Sequence, residues 1–327
     1  MKVLFSGFRD QRHSKFGGYD WIHFYPDSDY LSDKNVPLGF IKVGQSGKVI
    51  NLRILDFLTR IKAKRYDLVH YFYGDLGIFN PLPKKRKYKA VATIHCNTDQ
   101  LEPHHDNIIE CIKSFDAVIV LNSQQQKYLK EKYEINSYFI PHGFNKPTFE
   151  HLDVRDFVDF DNTKVNVITI GKQYRDYETL ENVIDNQPNE NVHFYLVGLK
   201  SDLKEKFSKK KNVTVCGFLN DDQYYSLLDA CDWSFLPLLY ATANNALMES
   251  HYLGVPCILP NITGVSDYAD FENNVFYSSS SEVLDIFSSL SKQSKKKELI
   301  EYAVNKFSWK NIYSQLNSLY SDILEKQ

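Results

Sequence analysis

The feature that most constrains this chain is its rhythm: short apolar runs of strand length alternate with longer amphipathic stretches along most of the sequence. A buried strand, a helix and another buried strand in succession build a parallel sheet covered by helices, because parallel neighbours need a crossover and the helix supplies it. Runs at 2–5, 68–71, 90–94, 117–121 and 138–140 form a first series of expected strands, and runs at 166–170, 192–197, 213–216, 233–237 and 256–259 form a second. Helices are expected over 51–64, where Leu52, Ile54, Leu55, Leu58 and Ile61 fall near helical spacing, over 123–132 from an N-cap at Ser123, and over 221–230 after an Asn/Asp cap signal. The last segment, 307–324, reads as one or two amphipathic helices.

Two series of strands in 327 residues predict two domains of ordinary size. Residues 145–163 hold a proline, many acids and little periodicity, and read as a linker with the boundary near residue 150. A hydrophobic content of 43% and a charged content of 24% suit a packed globular core. A net charge of −2 argues against a dedicated nucleic-acid binder, which carries a basic excess. The five cysteines, Cys96, Cys111, Cys216, Cys231 and Cys257, are odd in number and show no C-x-x-C spacing, so a disulfide framework or zinc site is not expected and a reducing cytoplasm fits. The apolar run at the N-terminus is too short for a signal peptide, and no segment approaches the roughly 20 apolar residues that span a bilayer.

In open parallel sheets, ligands sit beyond the carboxyl ends of the strands, and with two such sheets the site is expected in a cleft between them. The richest segment of this kind follows the expected strand ending at Pro237. A loop of small residues, Ala241–Thr242–Ala243–Asn244–Asn245, enters a helix running to about Tyr252. Small residues let a ligand approach the backbone, and the first amides of a helix are unpaired and favour anions. Asn244 or Asn245 can cap the helix. Glu249, one turn inside, can accept hydrogen bonds from a ribose diol as acids do in dinucleotide-binding folds. Spacing alone leaves this open against an ordinary capped helix with an exposed glutamate.

The run ATANNALMESHYLGVPCILPNITGVSDY resembles the signature of retaining glycosyltransferases of the GT-B fold, family 4. Other landmarks come in that family's order: the Gly17–Gly18 loop, DLVHYF, ATIH ending at His95, DAVIVLNSQQQKYL, the turn Ile140-Pro-His-Gly-Phe-Asn145, VITIGKQYRDYETL, VHFYLVG, VCGFLNDDQYYSLLDACDWSFLP and FSWKNIYSQLNSLYSDIL. Each is weak alone and the ordered set, spanning nearly the whole chain, is specific. The resemblance implies two Rossmann-like domains whose parallel sheets face each other across a cleft. Residues 1–149 would take the acceptor and 150–306 the nucleotide-sugar, with a C-terminal helix at about 307–327 packing back on the first domain.

The resemblance also implies roles. Glu249 matches the second glutamate of an E-x7-E motif that holds the ribose. The backbone at Ala243–Ala246 would meet the diphosphate and the sugar, and Phe218 and Leu219 after Gly217 would border the base. Lys172, after the strand-end Gly171, and Arg175 match the family's cationic pair and would offset charge developing on the leaving diphosphate. His95 matches a histidine that faces the donor sugar, where a neutral imidazole can hydrogen-bond a hydroxyl. Gly17 and Gly18 would let a loop approach the phosphates and the acceptor. One departure stands out: eight residues before Glu249 the motif's first glutamate is replaced by Ala241. Three alternatives follow: Thr242 or an Asn substitutes for its contact with the sugar, the sugar is bound differently, or activity is reduced.

Asp27-Ser-Asp29 and Asp159-Phe-Asp161 have the D-x-D pattern of a different, metal-dependent transferase fold and read as solvated acids. His104-His105-Asp106 reads as an acceptor-side or surface feature. No metal and no cofactor are expected, because amides, Lys172 and Arg175 suffice for a diphosphate. The basic runs 62–65 and 84–89 read as solvated faces or as contacts with an anionic membrane. The expected activity is retaining transfer from a UDP- or GDP-linked sugar to a hydroxyl of a glycan, glycolipid or lipid-linked acceptor. It belongs to surface polysaccharide or glycoconjugate synthesis, in the cytoplasm or at the inner face of the cell membrane. The rival readings are an epimerase or phosphorylase on the same fold, the latter needing a pyridoxal phosphate lysine for which there is no support, and a non-catalytic nucleotide-sugar-binding protein.

Overall fold

The computed structural model describes residues 1–8, 16–19, 25–32, 44–97, 101 and 107–326, with the backbone alone for 44–51. The His104–Asp106 triplet lies outside the described residues. In chain order the elements are β1 (Val3–Ser6), β2 (Ser28–Leu31), α1 (Gly44–Lys62), β3 (Leu68–Tyr71), β4 (Lys89–Ile94), α2 (Ile108–Lys113), β5 (Ala117–Val120), α3 (Ser123–Tyr133) and β6 (Ser137–Phe139). They continue with β7 (Val165–Ile170), α4 (Tyr177–Asn186), β8 (Val192–Val197), α5 (Ser201–Ser208), β9 (Val213–Val215), α6 (Asp221–Ala230), β10 (Trp233–Phe235), α7 (Asn245–Tyr252), β11 (Cys257–Pro260), β12 (Val275–Tyr277), α8 (Ser280–Ser288), α9 (Lys297–Phe307) and α10 (Trp309–Glu325).

The strands form two six-stranded sheets, ordered β2-β1-β3-β4-β5-β6 and β12-β11-β10-β7-β8-β9. Every pairing within them is parallel. The chain divides into two compact units, residues 1–144 with 307–327 and residues 145–306.

In the first unit, the alternation along each strand feeds two cores, one on each face of the sheet. Leu4, Val69, Ala90, Ala92, Val118 and Val120 point to one face, under Leu55 of α1, Cys111 and Ile112 of α2 and Leu129 of α3. Val3, Phe5, Leu68, Val91, Ala117 and Ile119 point to the other, where they meet Trp309, Ile312, Leu316, Leu319, Tyr320 and Ile323 of α10. Burial on both faces is the reason these strands read as unbroken apolar runs. A buried histidine fastens the helix to the sheet: His70 Nδ1 lies 2.5 Å from Tyr320 Oη and Nε2 lies 2.7 Å from Thr93 Oγ1. Burial pushes its pKa down to about 3, so it acts as a neutral bridge.

Several local expectations are revised. α1 begins at Gly44, earlier than residue 51, and its far end runs on as a short tight turn over Ala63–Arg65. α3 is capped by Asn122, whose side chain accepts from Gln125 N at 2.7 Å, and not by Ser123, which is the first helical residue. β2 and β12 were not expected. The segment 145–163, read as a linker, is held on the second unit. Leu152 N donates to Ser226 Oγ at 3.0 Å, Glu150 N to Asp222 Oδ1 at 3.0 Å, and Val154, Val158 and Phe160 are buried.

At Gly143 the chain passes close to α10: a Cβ there would lie 2.5 Å from the Trp309 ring, and Phe144 N donates to Phe307 O at 2.8 Å. Gly143→Ala is therefore expected to destabilise the protein by about 1–3 kcal/mol through overpacking against a buried indole. A lowered urea midpoint with an unchanged slope is the readout.

Candidate functional site

Taking β7 as first, the second sheet has the strand order 3-2-1-4-5-6, which reverses between β7 and β10. At such a reversal the crossovers leave on opposite faces of the sheet, and the loops at the carboxyl ends of the two central strands part to leave a crevice. Here those loops are laced together at their bases. Asp176 N donates to Pro237 O at 2.8 Å, Leu239 N donates to Tyr174 O at 3.0 Å, and Arg175 forms an isolated bridge with Leu238.

Gly171 ends β7 with φ of +89°, a conformation that side chains rarely adopt, and a Cβ there would lie 2.8 Å from the Arg175 guanidinium. Glycine lets the arginine fold back beneath the strand end. Arg175 Nε donates to Ile170 O at 2.7 Å and Nη1 to Gln173 O at 2.9 Å. The residue is only 9% exposed, so it is not a solvated surface cation. Burial lowers its pKa to about 10, with Tyr177 and Tyr224 pulling the other way, so it stays charged at neutral pH. Among the described residues no carboxylate pairs with it. Lys172, its sequence partner, is exposed.

Across the crevice, the loop from Leu236 to Asn244 delivers the chain into α7. Asn244 is the cap, its side-chain oxygen accepting from Leu247 N at 3.1 Å. Thr242, Ala243, Asn244 and Asn245 are half-buried, while Ala241 and Ala246 are buried. The start of α7 therefore sits in a row of small side chains, which let a ligand come close to the backbone.

Glu249 lies one turn further on. Two tyrosines of α6 donate to it: Tyr224 Oη to Oε2 at 2.5 Å and Tyr225 Oη to Oε1 at 3.2 Å. The residue keeps some exposed surface, but its carboxyl group is desolvated. Desolvation raises its pKa to about 7 against the pull of the two phenols, and Asp221 adds to the rise. A carboxylate oxygen has two acceptor positions, so each keeps capacity for a further donor. Phe218 and Leu219 lie just ahead of α6, which opens with a capping box between Asn220 and Gln223. Phe218 is 94% exposed and Leu219 half-buried.

The second unit thus brings Gly171, Arg175, Thr242, Ala243, Asn244, Asn245, Ala246 and Glu249 to the carboxyl ends of β7 and β10 and the helix that follows, and leaves Lys172 and Phe218 in solvent. His95, Gly17 and Gly18 belong to the first unit. His95 follows β4, and Asp75 ties down the turn beneath it, accepting from His95 N at 2.8 Å and from Cys96 N at 2.5 Å. Tyr73 stacks on the imidazole at 4.3 Å, and Tyr19 Oη lies 2.7 Å from Nε2. Burial brings the pKa of His95 down to about 4 despite Asp75, so the ring is neutral. The Gly17 carbonyl accepts from His142 Nε2, and Tyr19 stacks on Phe72 at 4.1 Å.

Five of these partners were not anticipated. Tyr224 and Tyr225 carry no local signal, since their partner lies on another helix. Asp75 and Tyr73 follow β3, a position that the rule of strand carboxyl ends already marks. Tyr19 adjoins the glycine pair. Asp29 lies in β2, in an ordered strand instead of a loop, where Tyr66 Oη donates to it at 2.6 Å, and Asp161 caps a turn by accepting from Thr163 N at 2.8 Å. Among the described residues no three His, Cys, Asp or Glu side chains group as a metal site, and none of the five cysteines, all buried, is in a disulfide.

Comparison with known proteins adds to this geometry. Residues 170–290 match the family model of group 1 glycosyl transferases. No curated protein sequence matches the chain. Among solved structures, sucrose-phosphate synthase from Thermosynechococcus elongatus is similar at 18% identity with a TM-score of 0.69, over 99% of this chain and 89% of that one. HepE of Anabaena, in complex with UDP-glucose, is similar at 14% identity and a TM-score of 0.65, over 98% of this chain and 100% of that one. TarM follows at 17% and 0.65, over 83% of this chain and 58% of that one.

The desolvated Glu249 makes a pH-dependent prediction. A pKa raised to about 7 means the fold prefers the protonated acid; the stabilisation is full below the ordinary carboxylate value and is lost as pH rises through 7. Glu249→Gln mimics the protonated form. It should raise the unfolding temperature of the unliganded protein at pH 8, by up to about 3 kcal/mol in stability, and leave it nearly unchanged at pH 4. Equal shifts at both pH values would contradict the assignment.

Proposed function

We propose, from the premise of a chain that carries a group 1 glycosyl transferase domain on a GT-B fold, that it moves a hexose with retention of configuration. The donor is a UDP- or GDP-linked sugar and the acceptor is a hydroxyl of a glycan, glycolipid or lipid-linked molecule, as in surface polysaccharide or glycoconjugate synthesis. The observation that carries the reading is the pair of desolvated charges in the second unit. Among the described residues, Arg175 is a buried cation with only carbonyl partners, and Glu249 has a desolvated carboxyl group with only phenol partners. A nucleoside diphosphate offers what each lacks, phosphate oxygens to the first and a ribose diol to the second. The loop 241–246 supplies amides for the remaining phosphate oxygens. UDP-glucose in HepE supports a uridine donor.

Arg175 and the α7 amides would stabilise charge on the departing diphosphate, whose oxygen would take the acceptor proton in a front-face attack. Fixed donors aimed at developing charge are the largest single contribution in many enzymes. His95, held neutral, would accept from or donate to a sugar hydroxyl. Exposed Lys172 would close on phosphate from solvent. The first unit would hold the acceptor, with the Gly17–Gly18 loop near it. Peripheral contact with the inner face of the membrane belongs to the same reading; among the described residues no helix is long and apolar enough to cross one.

A second reading, nucleotide-sugar binding without transfer, draws on Ala241, a buried methyl where the motif has a carboxylate. Labelled UDP- and GDP-sugars with and without glycan acceptors separate the two: acceptor-dependent release of nucleotide is expected. Tight binding with no turnover over a broad acceptor panel would favour the second reading. Arg175→Ala should lower turnover about 10²–10³-fold. Glu249→Ala should weaken nucleotide binding by roughly tenfold or more, and unchanged binding would remove the ribose assignment.

A further inference from the structure

The first unit carries a surface for which the proposed chemistry has no use. α1 buries Leu55 and packs Ile54 and Leu58 against the core. On its outer face Phe57 is 62% exposed and Ile61 is 52% exposed. The two are one helical turn apart, and exposed Arg53 and Lys64 extend their row at either end. Lys62 and Arg65 are exposed beside them.

A second basic group is tied to the same helix. Arg60 donates to Asn80 O at 2.5 Å and to Pro81 O at 3.2 Å, and the Arg53 guanidinium lies 5.0 Å from the Phe79 ring centroid. The chain that leaves this anchor carries Lys84, Lys85 and Lys87, all exposed. Two nearby acids are already engaged: Asp56 is buried and pairs with Arg60 at 2.9 Å, and Asp116 pairs with Arg86 at 2.5 Å. Among the described residues none of the exposed cations has a carboxylate partner.

We propose that this face of α1 docks on an anionic lipid bilayer, with Phe57 and Ile61 entering the boundary between headgroups and acyl chains while Lys62, Lys64, Arg65, Lys84, Lys85 and Lys87 meet lipid phosphates. The chemistry selects lipid over protein. Two apolar side chains fall well short of the roughly 800 Å² per partner that a stable protein interface needs. A second copy of this chain would bring like charges together on the same face. A bilayer supplies what the patch is short of, a plane of anions over an apolar layer, and a helix with apolar residues set among lysines and arginines lies in that boundary. The surface deepens the membrane part of the proposed function but stands on residues distinct from the nucleotide site.

Co-sedimentation of the whole protein with vesicles of phosphatidylcholine, with and without phosphatidylglycerol, tests it. Binding to the anionic vesicles only, weakening as salt rises, is expected. Phe57→Ser with Ile61→Ser should lower vesicle affinity about tenfold or more, and Lys84→Glu with Lys85→Glu and Lys87→Glu should do likewise. Both variants should keep the unfolding temperature and the affinity for UDP or GDP. Equal partitioning to both vesicle types, undiminished binding by the Phe57/Ile61 variant, or self-association of the wild type that this variant abolishes would each overturn the proposal. Nucleotide affinity on the same preparation keeps the two readings apart. Wild-type protein that binds nucleotide but not anionic vesicles defeats only the surface, and wild-type protein that binds anionic vesicles but no nucleotide defeats only the donor site.

Discussion

Everything at the candidate donor site depends on the parallel pairing of β7 with β10. That pairing is short, Trp233 opposite Val167 and Ser234 opposite Ile168, yet it sets where the strand order reverses. A parallel strand exits at the same end as its neighbour, so both following loops emerge together, and the reversal sends their helices to opposite faces. The backbone bonds between 174–176 and 237–239 then fix the two loops to one another. Arg175 lies within this lacing and borrows rigidity from the sheet below, and the loop it is bonded to leads into α7.

How much of this was legible follows from what each feature depends on. Strands inside a sheet, buried on both faces, read as apolar runs, and the ten expected runs match ten strands to within a residue or two. Four strands lie at sheet edges; β6 and β9 are legible as short runs, while β2 and β12 are not. Ser28 and Asp29 are polar, and only Leu31 of β2 is buried, so pairing with β1 and not composition makes it a strand. The misread segment 145–163 shows the same limit. Its acids suggested solvated linker, and several are indeed exposed, but Asp153 and Asp161 close local turns, while Val154, Val158 and Phe160, which follow no period, plug into the second unit. Irregular burial leaves no pattern to read.

The site divides along similar lines. Small residues before a helix and a capping Asn are local signals, and they led to the loop 241–246 and to Glu249. Whether a cation is solvated or folded under a strand end is not local. The sequence GKQYR contains Arg175 but not the carbonyls of Ile170 and Gln173 turned toward it, nor the open space that Gly171 leaves. The tyrosines on Glu249 come from a helix 24 and 25 residues earlier and are brought in by tertiary packing alone.

The separation of the two charges is itself informative. Burying a cation and an anion is least costly when they pair directly, because each then satisfies the other. Here they do not. Arg175 is met by backbone dipoles and Glu249 by phenols, and Tyr224, which holds the carboxylate, is also within electrostatic reach of the guanidinium. Such an arrangement gives up stability in the empty protein, as the raised pKa of Glu249 and the lowered pKa of Arg175 record. In return, no internal ion pair has to be broken before a ligand engages either group. It also imposes a direction: a molecule with negative charge at one end and vicinal hydroxyls at the other can satisfy both groups in one orientation only, with its phosphates toward β7 and its ribose toward α6 and α7. The proposed donor would therefore have its nucleotide half fixed by desolvated charge, and the sugar beyond the phosphates would be left to the uncharged side chains around Thr242.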